Sequence, residues 1–160
     1  MPRSSSSSRR HRAETTASKA LPSRPISQAD SRPSAGPIIL LVDDDPAVLE
    51  SLRRVLAMEG WQVVTAASGE EALERLAEQQ PDLMITDLCM IGVNGWDLLF
   101  HEKLQRPNLP IFVITALPLT SVGGADRFAT DFFQKPLDLD VMVAAIRNRL
   151  SNSRSLQPQR

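Results

Sequence analysis

From Ile38 onward, short apolar runs alternate with stretches of helical periodicity, and that alternation most constrains how this chain can fold. Ile38–Val42 is a continuous apolar run, as expected of a strand covered on both faces. Pro46 then suits the first turn of a helix, with Asp45 ahead of it as cap. Val48, Leu49, Leu52, Val55 and Leu56 follow on one helical face, and Gly60 stops it. Residues 61–66 read as a second strand, and Ser68 with Glu71 has capping-box spacing ahead of Ala72, Leu73 and Leu76. Pro81 closes that helix, and residues 83–86 form a third strand ending on Asp87. Asn94-Gly95 signals a turn before a third helix whose apolar residues are Trp96, Leu99, Phe100 and Leu104. Residues 111–114 are a fourth strand ending at Thr115, and Phe132 with Phe133 a fifth ending near Lys135-Pro136. Asp138 can cap a last helix with Val141, Met142, Ala145, Ile146 and Leu150 inward. Strands joined by helical segments of this length pair in parallel through right-handed crossovers. The expected fold is a doubly wound, three-layer α/β domain with a five-stranded parallel sheet. Pro118 and Gly123-Gly124 make the fourth helix short or irregular.

Around this domain, 38–150, the composition shifts. Residues 1–37 carry seven Lys/Arg against Glu14 and Asp30, with a serine run and recurring prolines, so a disordered basic tail is expected. Such a tail is solvated, or touches nucleic acid, anionic lipid or an acidic partner; no aromatics are interleaved for base stacking. Residues 151–160 are polar and expected to be a flexible tail. No apolar run is long enough to span a membrane, and the polar start lacks a secretory h-region. One cysteine, Cys89, suits a reducing compartment, so a cytoplasmic setting is expected.

In open α/β sheets, ligands sit beyond the carboxyl ends of the strands. Those ends carry Asp43 and Asp44 after the first strand, Asp87 after the third, Thr115 after the fourth and Lys135 after the fifth. Each alone has an ordinary explanation, since aspartates cap helices and lysines are solvated. Together they form three carboxylates, a hydroxyl and an ammonium from four chain segments. Clustered carboxylate oxygens suit Mg²⁺, which keeps several waters. The cation would offset repulsion between a carboxylate nucleophile and an anionic phosphoryl group. Lys135 and Thr115 could serve other phosphoryl oxygens, and Asp87 is the candidate nucleophile.

The motifs LVDDDP at 41–46, DLMITDLCM at 82–90, VITA at 113–116 and FFQKP at 132–136 make the chain resemble the receiver domains of two-component response regulators, across 38–150. The resemblance implies a (βα)5 flavodoxin-like sandwich. It implies that Asp43 and Asp44 are the acidic pair, Asp87 the phosphoacceptor, and the Cys89 backbone carbonyl the remaining protein ligand of Mg²⁺ alongside these carboxylates. It further implies that Thr115 is the switch hydroxyl, Lys135 the phosphoryl-binding lysine and Phe132 the switch aromatic. The donor would be a histidine kinase or phosphotransfer protein, and output would pass to a downstream protein target. Ile91 stands where the family usually has proline, and the stretch from Thr115 to Lys135 is shortened, with Arg127-Phe128-Ala129 where small residues usually stand. Cys89 and Leu117, beside the site, carry no group to orient an attacking water, so self-dephosphorylation should be slow. His11 and His101 have no neighbours suggesting a relay and are expected to be solvated.

The leading expectation is a stand-alone, phosphorylation-controlled binding module rather than an enzyme. The alternative is a degenerate receiver acting through phosphorylation-independent protein contacts. A haloacid-dehalogenase-type phosphatase would need an aspartate two residues after the nucleophile, where Cys89 stands. A P-loop nucleotide site is excluded because no GxxxxGK[ST] is present.

Overall fold

The computed structural model describes residues 36–92 and 95–155. The order is β1 (Ile38–Val42), α1 (Pro46–Met58), β2 (Gln62–Ala66), α2 (Gly69–Glu78), β3 (Leu83–Asp87), α3 (Gly95–Gln105), β4 (Ile111–Thr115), β5 (Asp131–Gln134) and α4 (Leu139–Ser155). The strands form one parallel sheet in the order β2-β1-β3-β4-β5. Every residue of β3 and β4 is buried, as expected of central parallel strands covered on both faces.

Alternation along the strands divides the core in two. Leu40, Val42 and Met84 pack under α2 and α3 against Ala72, Leu76, Leu98 and Leu99. Ile39, Leu41, Ile85, Phe112 and Ile114 pack on the other face against Leu52 and Leu56 of α1 and Met142, Ile146 and Leu150 of α4. This is the expected three-layer sandwich. Local signals set its helices. Asp45 caps α1 by accepting from the Ala47 N–H at 2.8 Å, with Pro46 as the first helical residue. Ser68 Oγ caps α2 through the Glu71 N–H at 3.1 Å, while the Glu71 carboxylate accepts from the Ala67 N–H at 2.8 Å. That backbone bond holds the Glu71 pKa below its usual value.

Between β4 and β5 no α-helix forms; Leu119–Ser121 and Ala125–Arg127 make two short 3-10 turns. Pro118 and Gly123-Gly124 account for this, since all three residues are poor in helix interiors. Val122 and Ala125 are still buried, so the segment closes the core without a helix.

Four sequence expectations need correction or extension. The inward face of α3 is Gly95, Leu98, Leu99 and Glu102, whereas Phe100 and Leu104 are 52% and 65% exposed. Gly95 explains this rotation: a Cβ there would stand 1.9 Å from the Asp87 carbonyl oxygen, so the first turn abuts the end of β3. Gly95 is therefore a helical residue; Asn94, its partner in the expected turn, lies outside the described residues. In α4, Val141 faces out, while Met142, Ile146 and Leu150, spaced by four, are buried and Ala145 packs beside them as expected. That helix also continues to Ser155, past the boundary drawn at 150, with Ser153 Oγ donating to the Arg149 carbonyl at 3.0 Å. Of the expected basic tail, residues 1–35 lie outside the described residues.

Glu102, buried at 1% exposure, was not singled out from the sequence. Its carboxylate accepts from Arg106 Nη1 at 2.6 Å and lies 3.0 Å from His101 Nδ1. Arg106 Nη2 donates to the Leu76 carbonyl at 2.6 Å, so one guanidinium ties α3 to α2. His101 is exposed, as expected, but borders this carboxylate. Arg106→Ala leaves Glu102 buried without its main donor. Urea unfolding should show a loss of about 1–3 kcal/mol relative to wild type.

Candidate functional site

Parallel pairing brings the carboxyl ends of β1, β3, β4 and β5 to one edge of the sheet. Val42 is level with Thr86, Asp87 with Ile114, and Thr115 with Gln134. The residues just beyond those ends are therefore neighbours, although up to 92 positions separate them in sequence.

Lys135 stands at the centre. Its backbone N–H donates to the Thr115 carbonyl at 2.8 Å, extending the β4–β5 ladder and fixing where its side chain begins. Its Nζ donates to Asp43 Oδ2 at 2.9 Å and to Asp87 Oδ2 at 2.7 Å. Asp43 is almost wholly buried at 1% exposure and Asp87 nearly so at 5%. Both carboxylates are also braced by backbone amides. Asp43 Oδ1 accepts from the Asp45 N–H at 2.9 Å, and Asp87 Oδ1 accepts from the Cys89 N–H at 2.9 Å. Burial works to lower the Lys135 pKa, but the hydrogen bonds it donates to Asp87 and Asp43 outweigh it and the net shift is upward. The ammonium is thus fixed as a cation at neutral pH.

Asp44 lies exposed at the rim, and its Oδ2 accepts from the Ile91 N–H at 3.1 Å. Thr115 is buried; its Oγ1 accepts from the Leu117 N–H at 3.1 Å, which leaves the hydroxyl hydrogen to donate. Phe132 is half-buried on β5 and packs against the core beneath α2 and α3. Cys89 carries a free, exposed thiol.

All the residues singled out at strand ends therefore reach this edge. Lys135 touches Asp43 and Asp87 directly, Thr115 is joined to Lys135 through the backbone, and Asp44 is tied to the β3–α3 loop. Two contributors were missed: the Ile91 amide, which is backbone and leaves no residue signature, and Gly95, whose close approach to Asp87 needs the fold to be seen.

Among the described residues, no three Asp, Glu, His or Cys side chains gather tightly enough to form a metal cage by themselves. Lys135 sits between Asp43 and Asp87 and draws those two together. Even so, the donor set fits Mg²⁺. Two carboxylates share one ammonium and Asp44 adds a third at the rim, so acidic groups outnumber the cation at this edge. Mg²⁺ needs only one or two carboxylates because it retains much of its water.

Lys135→Met would leave Asp43 and Asp87 without their shared cation, a cost of about 1–3 kcal/mol at neutral pH. The folded-state pKa of Lys135 lies above its ordinary value of 10.5, so its contribution is fully present below pH 10.5. It fades as pH rises through the raised value. Denaturation from neutral pH upward should show wild type and Lys135→Met separated by a constant gap until that raised value is approached, and converging above it.

The family model for the response regulator receiver domain matches residues 39–147. The response regulator MprA of Mycobacterium leprae is 40% identical over 118 residues, covering 72% of this chain and 52% of that protein. MprA of Mycolicibacterium vanbaalenii is 40% identical over 68% of this chain and 48% of its own. The chain thus spans about half the length of these relatives. Among solved structures, a response regulator receiver protein from Pseudomonas putida is 31% identical with a TM-score of 0.68, covering 72% of this chain and 98% of that one. TrrA of Thermotoga maritima, solved in complex with Mg²⁺ and BeF, is 27% identical with a TM-score of 0.67 over 71% of this chain and 98% of that one.

Proposed function

The chain belongs to the response regulator receiver domain family, and from that premise we propose that Asp87 accepts a phosphoryl group from a histidine kinase or phosphotransfer protein. The observation that carries the reading is the bridge from Lys135 Nζ to Asp87 Oδ2 and Asp43 Oδ2 at 2.7 and 2.9 Å. It places a permanent cation against the candidate nucleophile, as transfer of an anionic group requires.

The step follows from residues already in place. The Cys89 N–H and the Lys135 ammonium hold the two oxygens of Asp87, so the carboxylate has one orientation. A lone pair on an Asp87 oxygen attacks phosphorus, the bond from phosphorus to the donor imidazole nitrogen breaks, and the electron pair leaves with that nitrogen. Lys135 can then turn to a phosphoryl oxygen, with Asp43 keeping it at the edge. The Thr115 hydroxyl, on the adjacent strand end, would donate to another oxygen. Asp43, Asp44, Asp87 and the Cys89 backbone carbonyl would hold Mg²⁺, which supplies charge compensation between carboxylate and phosphoryl oxygens.

On this reading the protein is a phosphoacceptor and not a turnover enzyme. Neither Cys89 nor Leu117 offers a charge or amide to orient water, so the aspartyl phosphate should persist. Output would pass through a protein surface, with Phe132 and the 3-10 turns between β4 and β5 as the segment that answers to Thr115. The relatives are about twice as long, so the identity of the reader is part of the proposal. A cytoplasmic setting is proposed too, supported by the single cysteine. Among the described residues no helix is long and apolar enough to cross a membrane.

The irregular β4–β5 segment favours one second reading: a receiver whose partner contacts do not depend on phosphorylation. Incubation with a small phosphodonor separates the two. With Mg²⁺ present, intact-mass measurement should show one added phosphoryl group on wild type and none on Asp87→Asn. No labelling of wild type would favour the phosphorylation-independent reading.

A further inference from the structure

Asp44 and Cys89 stand on different loops, and one backbone contact ties those loops together. The β1–α1 loop carries Asp44 and the β3–α3 loop carries Cys89, Ile91 and Gly92. Asp44 Oδ2 accepts from the Ile91 backbone N–H at 3.1 Å, across 47 positions of sequence. The Ile91 side chain is 87% exposed, so its packing does not hold the loop. On the far side of the loop the Glu70 carboxylate lies against Gly92, where a Cβ would stand 3.2 Å from Glu70 Oε1. Gly92 adopts φ +88°, a conformation that favours glycine, so the chain turns at the point where it meets that second carboxylate.

We propose that the Ile91 backbone N–H is a positioning group for the cation site. It clasps Asp44 to the β3–α3 loop, so that one carboxylate oxygen is tied and the orientation of the whole carboxylate is set. An exposed aspartate otherwise samples several rotamers, and ordering it at the moment of metal capture costs binding free energy. The clasp removes part of that cost beforehand. The inference rests on reading Asp44 as a ligand of Mg²⁺, and it assigns the work to a main-chain donor, which only proline lacks.

The test uses amide NMR on the full chain. Mg²⁺ titration should give equal dissociation constants for wild type and Ile91→Ala, which keeps the N–H. Ile91→Pro should bind roughly three- to tenfold more weakly, the range expected of one hydrogen bond to a partly solvated carboxylate. Hydrogen exchange of the Ile91 amide supplies a metal-free readout: it should be slow in wild type and accelerate in Asp44→Ala. Equal affinities for Ile91→Pro and Ile91→Ala would overturn the clasp. So would an Ile91 amide that exchanges as fast in wild type as in Asp44→Ala, and that arm decides if Ile91→Pro does not fold. Absence of Mg²⁺ binding by wild type, with the amide still protected, would instead overturn the reading of Asp44 as a ligand.

Discussion

One ammonium group shared by two buried carboxylates is the interaction on which the functional edge depends. Asp43 and Asp87 end neighbouring strands and are almost completely withdrawn from water. Two such charges side by side repel strongly unless a cation stands between them. Lys135 meets both within 2.9 Å. Its own position is fixed by the Thr115 carbonyl, so the geometry is inherited from the β4–β5 ladder. The edge is therefore rigid where the chemistry would occur and exposed at Asp44, where a cation from solvent would enter.

The sandwich serves this edge by delivering strand ends. Parallel pairing puts every carboxyl terminus on the same side, and the two apolar faces lock the strands in register against helices. Gly95 continues the same logic. Because its Cα abuts the Asp87 carbonyl, the start of α3 is pressed against the end of β3, and no larger residue fits without displacing that backbone. Where the layer over β4 and β5 thins to two 3-10 turns, Phe128 sets its ring edge-on to Phe100 at 5.5 Å. That contact leaves an aromatic pair near the surface beside α3.

The sequence revealed much of this because the strong signals were local. Apolar runs closing on Asp43, Asp87 and Thr115 identified strands and site together, and Asp45 ahead of Pro46 separated a cap from two candidate ligands. Pro118 and Gly123-Gly124 showed that the segment before β5 would not be a regular helix. The failures were those of non-local contact. Of the apolar residues that marked α3, Leu99 is buried and Trp96 packs against the core, whereas Phe100 and Leu104 turn outward as Gly95 approaches β3. Glu102 left no signal in the sequence, because its burial depends on Arg106, whose guanidinium reaches both this carboxylate and the Leu76 carbonyl on α2. Ile91 was visible only as an unusual residue in its loop; its bond to Asp44 is made by backbone that any residue but proline provides.

If this edge carries more negative charge than Lys135 compensates, a divalent cation entering at Asp44 should stabilise the folded protein. The melting temperature measured across Mg²⁺ concentration tests it most directly, since a ligand that binds only the folded state stabilises it in proportion to occupancy. Wild type should show a progressive rise and Asp44→Asn a nearly flat response. A wild-type melting temperature indifferent to Mg²⁺, or an equal rise in Asp44→Asn, would contradict it.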